Sequence, residues 1–73
     1  MEYVVLIERD PETSAVVASS PDFENVVYVG DPDHDDETIR AQFAQTLSQY
    51  FAYLRSEGRP VPPPRHRALT VAA

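Results

Sequence analysis

The sequence predicts an α+β fold in the order β-β-β-α-β: an antiparallel three-stranded meander roofed by one long helix, with a last short strand parallel to the first. Three observations carry this. Residues 36–57 repeat apolar side chains with the period of an amphipathic helix. Residues 2–9, 14–19 and 26–29 are β-branched, alternating runs separated by turn-forming residues. Beyond the helix a proline-rich return leads to Ala68, Leu69, Thr70 and Val71, which alternate again.

The first run sets Tyr3, Val5 and Ile7 on one face and Val4 and Leu6 on the other. Both faces are apolar, as expected of a strand covered on both sides or of one whose second face a partner buries. Asp10, Pro11, Glu12 and Thr13 follow as a turn, Pro11 presetting φ. The second run opposes Ala15 and Val17 to Val16 and Ala18 and should complete an antiparallel hairpin. Residues 20–25 are expected to break the sheet before a third strand resumes at 26–29. Gly30 ends that strand, where an unusual backbone angle is expected.

The acidic approach at residues 31–36 suits a helix N-terminus: carboxylates complement the dipole, and Asp33 or Asp35 can cap the free amides. Ile39, Phe43, Leu47, Tyr50 and Leu54 fall in one narrow arc, with Ala44 and Phe51 on its flank and Ala41, Gln45, Gln49 and Ala52 opposite. Such a helix spans roughly 33 Å at its standard rise. Burying five large apolar side chains along it contributes on the order of 10 kcal/mol, comparable to the whole stability of a small domain. Arg55 and Arg59 lie where cations belong, and Gly58 with Pro60 beyond it marks the stop. Pro62, Pro63 and Pro64 then hold the chain extended. Because the helix crosses the sheet before the last strand, a right-handed crossover gives the spatial order 3-2-1-4.

A chain of 73 residues forms a single domain, residues 1–73, near the size at which one core gives marginal stability and a partner subunit helps. The absence of cysteine removes disulfides and thiolate metal sites, consistent with a cytoplasmic protein. The N-terminal run is unlike a signal peptide, and no apolar stretch approaches membrane-spanning length. The formal net charge is −6 and all six basic residues are arginine, so direct binding of DNA is not expected and a basic partner fits better. Acidity also serves solubility alone.

One helix roofs one sheet face. The other exposes apolar residues, among them either Val4 and Leu6 or their alternates, and such a face usually marks an interface. The residues expected to bind a partner are Val4, Leu6, Tyr28 and Tyr53, of which Tyr53 reads equally as a core-edge residue. A homodimer, or a heterologous complex, through that face or an edge strand is expected.

No constellation points to catalysis. Asp31, Asp33, Asp35 and Glu37 alternate as in a calcium loop, but the positions that need glycine and the bidentate glutamate hold Asp36 and Gln42. Helix capping explains the cluster, and no metal or cofactor is expected. His34 and His66 stand in separate polar stretches, with no Ser-His-Asp grouping and no glycine-rich phosphate loop. Arg65, His66 and Arg67 form a patch too small to hold phosphate tightly and suited to balancing carboxylates.

The opening Tyr3-Val4-Val5-Leu6-Ile7-Glu8, the loop Ser20-Pro21-Asp22-Phe23, the Gly30-Asp31 step before an acidic helix start, and Gly58-Arg59-Pro60-Val61-Pro62 before a final strand occur in an order that resembles the HicB-like antitoxin family. The resemblance spans nearly the whole chain. It implies a partial RNase H-like fold without nuclease activity, since an active enzyme of that superfamily places metal-binding carboxylates mid-strand where this chain has Val4, Val5 and Leu6. It also implies a toxin–antitoxin partner, a small basic mRNA-cleaving HicA-like toxin that the domain binds and blocks. The chain departs from the pattern after Phe23, where Glu24, Asn25 and Val26 replace the usual Pro-Gly continuation, and autorepression by DNA binding is not implied. An RNase H-like remnant acting in RNA processing, or a dimeric domain of unassigned role, is the alternative.

Overall fold

The computed structural model describes residues 3–67. Three strands, β1 (Leu6–Arg9), β2 (Val16–Ser20) and β3 (Phe23–Gly30), precede one helix, α1 (Asp36–Ser56). The strands form an antiparallel sheet in the order β1-β2-β3, and α1 covers one of its faces. No helix among the described residues is long and apolar enough to cross a membrane. The fourth strand expected at residues 68–71 lies outside the described residues.

Strand limits differ from the sequence expectation for local reasons. The register that pairs Leu6 with Ser19 would set Val4 opposite Pro21, which has no amide to donate, so the ladder begins at Leu6 rather than residue 2. Ser14 is not in a strand: its φ of 61° is left-handed, and it closes a turn in which its amide donates to the Asp10 carbonyl while the Asp10 amide donates to that of Ala15. The Asp10 carboxylate accepts from the Glu12 amide at 2.8 Å and supports the same turn. Between β2 and β3 the expected break narrows to Pro21 and Asp22, and β3 starts at Phe23 opposite Ser20. The register then jumps to Ser19 opposite Val27, leaving Glu24, Asn25 and Val26 as a bulge. That bulge rotates Val26 inward, where it is 8 % exposed.

The helix follows its expected limits closely. Asp35 is the N-cap, its carboxylate accepting from the Thr38 amide at 2.9 Å. At the other end Gly58 takes φ 69°, the Arg59 amide donates to the Leu54 carbonyl at 2.8 Å, and the Gly58 amide donates to that of Arg55, the paired bonds of a Schellman stop. Ile39, Phe43, Leu47 and Leu54 are buried; Tyr50 and Phe51 are half-buried.

Val16, Ala18, Phe23, Val26, Ile39, Phe43 and Leu47 form the core. Under the second half of α1 the rings of Tyr3, Phe23, Tyr50 and Phe51 cluster, Phe23 lying 5.0 Å from Tyr3 and 5.2 Å from Phe51 between centroids. Near the start of α1 the packing is backbone-close. The unusual backbone angle expected from sequence at Gly30 is not found; glycine is required there because a Cβ would run into Ile39 Cδ1 and crowd Val16 Cγ1 at 3.3 Å.

Gly30→Ala should therefore cost about 1–3 kcal/mol by overpacking, read as a lowered urea midpoint with unchanged m. Gly58→Ala, with open space around it, costs about 1 kcal/mol from its backbone angle alone. Phe43→Asp should abolish the cooperative melt, whereas Gln45→Asp on the exposed side leaves Tm within a few degrees.

Candidate interaction surface

Register fixes which side chains share a face. Ile7, Ala18 and Tyr28 form one cross-strand row and Arg9, Val16 and Gly30 another; both belong to the face under α1, where Val16 and Ala18 are fully buried. The intervening rows, Leu6–Ser19–Val27 and Glu8–Val17–Val29, therefore face away from the helix. Leu6 is 46 % exposed, Val27 58 % and Val29 71 %. Among the described residues this outer face is an apolar stripe across all three strands, with Glu8 at its margin.

The four residues expected to contact a partner are not brought together. Leu6 lies on the outer face. Val4 is half-buried and, with Val5 and Arg40, borders a hollow that Arg67 also lines. Tyr28 belongs to the helix-side face, where it packs on the core and its hydroxyl donates to Gln42 Oε1 at 2.8 Å. Tyr53 is 52 % exposed on the helix flank that Gln42 and Thr46 share by their spacing. Sequence reasoning missed Val17, Val27 and Val29. Their signal is alternation in step with Leu6, hidden until the bulge sets the register of β3.

The acidic approach to α1 is organised by Arg9. Falling in the same alternation as Ile7, its guanidinium reaches over the end of the sheet, donating to Asp36 Oδ1 at 2.9 and 3.1 Å, to the His34 carbonyl at 2.7 Å and to the Pro32 carbonyl at 3.2 Å. One cation thus closes the β3–α1 connection onto β1. The Asp35 carboxyl lies below its ordinary range because the Thr38 hydroxyl and amide hydrogen-bond its charged form, with His34 and Arg9 assisting. Among the described residues no group of three His, Cys, Asp or Glu side chains is placed to hold a metal ion.

The basic tripeptide after the prolines meets a carboxylate. Asp22, at the β2–β3 turn, accepts from the Arg65 amide at 3.2 Å and from His66 Nδ1 at 2.8 Å. Its side chain is 4 % exposed. Covering the carboxyl raises its pKa, but the hydrogen bonds from His66 and the Arg65 amide outweigh that and hold it below the ordinary value. His34 and His66 are far apart in role: one backs the helix entrance, the other pins the C-terminal return.

No protein-family model, curated protein or solved structure matches the chain.

A carboxyl with a lowered folded-state pKa stabilises the fold above the unfolded value and loses that contribution as pH falls through the folded value. Asp22, Asp35 and Asp10 all shift this way, so thermal stability should hold from neutrality to about pH 4 and fall below it. Asp22→Asn should lower Tm at pH 7 and make the fall between about pH 4 and 2 shallower, measured by melting curves across the range.

Proposed function

We propose that the protein is a noncatalytic binding module, a HicB-like antitoxin or a solitary relative, that binds a small basic HicA-like mRNA-cleaving toxin and blocks it. The observation that carries this reading is the outer face of the sheet, an apolar stripe of Leu6, Val17, Val27 and Val29 on an acidic domain. Apolar area drives association and surrounding carboxylates select a cationic partner and speed its encounter. The β-β-β-α order and the helix stop at Gly58 agree with the family pattern, and a fourth strand at residues 68–71, parallel to β1, completes the proposed fold.

In the absence of a toxin the same face, continuous with the edge of β3 that has no strand partner among the described residues, is proposed to hold two copies together. Its center from Val26 to Gly30 carries no charge, so two acidic chains repel least there. An RNase H-like remnant acting in RNA processing is the second reading; its mark would be metal-dependent cleavage of RNA by the isolated chain, abolished by a single carboxylate substitution.

Light scattering at micromolar concentration should give twice the 8.2 kDa chain mass, and Val29→Asp should return it to one chain mass with little change in Tm. A monomeric wild-type chain rejects the dimer. Co-expression with the small basic product of an adjacent reading frame should yield a complex that suppresses RNA cleavage, lost in Val27→Asp. Failure to bind such a neighbour removes the antitoxin reading.

A further inference from the structure

The ladder settles which backbone groups of β3 point out of the sheet. At the β1–β2 turn the Asp10 amide donates to the Ala15 carbonyl, and the register continues as Arg9–Val16, Glu8–Val17, Ile7–Ala18 and Leu6–Ser19. An antiparallel ladder bonds alternate pairs, so Val17 and Ser19 turn their amides and carbonyls to β1, and Val16 and Ala18 turn theirs to β3. Gly30 and Tyr28, the partners of Val16 and Ala18, are thereby bonded to β2. The amides and carbonyls of Val27 and Val29 point the other way, along an edge that no strand among the described residues meets.

The side of α1 that overhangs this edge carries no charge. The Tyr28 hydroxyl donates to Gln42, and Asn25 Nδ2 donates to the Tyr50 hydroxyl at 3.4 Å, which sets one helix flank above β3. By helical spacing that flank holds Thr38, Gln42, Thr46, Gln49, Tyr53 and Ser56, with Gln49 and Tyr53 exposed. The charged residues of α1 lie elsewhere: Asp36 in the first turn, and Glu37, Arg40 and Arg55 on the flank toward β1. A quarter of the chain is charged, so a continuous neutral side made of Val27, Val29 and this flank stands out. Depletion of charge around an exposed tyrosine is the composition of an interface core.

We propose that the occupant of this edge is the β3 edge of a second copy, antiparallel to it about a two-fold axis through Tyr28. Chains of net charge −6 repel one another least where neither carries charge, and this is that side. The axis at Tyr28 sets Val27 opposite the second copy's Val29, and Val29 opposite its Val27, so all four outward amides meet four outward carbonyls. Centering on Val27 instead would bring Val29 against Asn25 in the bulge, and centering on Val29 would bring Val27 against Asp31. The product is a six-stranded sheet with both helices on one face, their neutral flanks turned toward each other. On the opposite face the two apolar stripes become continuous. This inference rests on the reading that two copies associate and narrows their contact to the β3 edge, which leaves Leu6 and Val17 open to another partner.

Exchange of the Val27 and Val29 amides in the full chain should slow at least about tenfold when the protein is concentrated through its association range, while the Tyr28 and Gly30 amides, bonded to β2, change little. Gln49→Glu combined with Tyr53→Glu should weaken association at least about tenfold and keep a cooperative melt, whereas Val17→Asp, mid-face on β2, should change it less than about threefold. The chain contains no cysteine, so a mixture of Val27→Cys and Val29→Cys chains should join by disulfide on mild oxidation, their Cα atoms being about 5.5 Å apart in a bonded pair. Neither variant alone should join to itself. Cross-links in either variant alone, or none in the mixture, overturn the register. A dimer that Val17→Asp breaks, or that the flank charges spare, overturns the edge contact and leaves the dimer standing; a monomeric wild-type chain removes both. None of these readouts uses a toxin, so loss of the antitoxin reading would leave them intact.

Discussion

The contact between Ile39 and Gly30 sets the rest of the structure. A missing side chain lets the first turns of α1 settle against the end of β3, and the fully buried Val16 and Ile39 close over that point. Once the helix is fixed there, its far end is held by rings instead: Phe23 and Tyr3 from the sheet side meet Tyr50 and Phe51. Interiors packed to crystal density leave no slack for either arrangement to shift. The helix can therefore serve only one face of the sheet, and the character of the other face follows from that.

Charge is distributed to the same end. Arg9 is the inward-alternating residue of β1 that cannot be buried, and it emerges where the acidic connection passes. It satisfies two carbonyls and the Asp36 carboxylate at once, which a lysine, with its single ammonium, would do with less fixed geometry. Exposed ion pairs contribute little individually, and the 72 % exposed Asp36 carboxylate is no exception. What Arg9 adds is placement: it holds the residues on either side of Asp35, the helix cap, through the His34 carbonyl and the Asp36 carboxylate.

The helix was legible because its signals are local and redundant. An apolar period, acidic residues before it, and Gly58 with Pro60 after it all mark the same span, and the observed α1 ends within a residue of the expected limit. The two hairpins were legible as hairpins, but not their limits. Val26, Val27, Tyr28 and Val29 are all apolar, so period two does not say which of them faces inward, and the three-residue bulge that decides it has no distinctive composition. Tyr28 was consequently placed with Leu6, from which the register separates it. Gly30 was recognised as a constraint for the wrong cause, since only the structure shows the helix side chain that approaches it. The Asp22–His66 contact spans 44 positions between polar residues and leaves no pattern in either. Of the candidate surface, the sequence left open whether Leu6 or its alternates face outward; the β1–β2 ladder places Leu6 and Val17 there, and Val27 and Val29 depended on the bulge as well.

The C-terminal return joins parts of the chain that no other element joins. Both hairpins connect neighbouring strands and α1 closes on itself, whereas the Tyr3–Pro62 and Asp22–Arg65 bonds close loops of 59 and 43 positions. Closing long loops costs entropy before any contact forms, so folding speed follows the local pairs. By their sequence separation the two tethers are expected to close after the local pairs of the meander and helix, and so to act as a clasp on unfolding more than as a guide to folding.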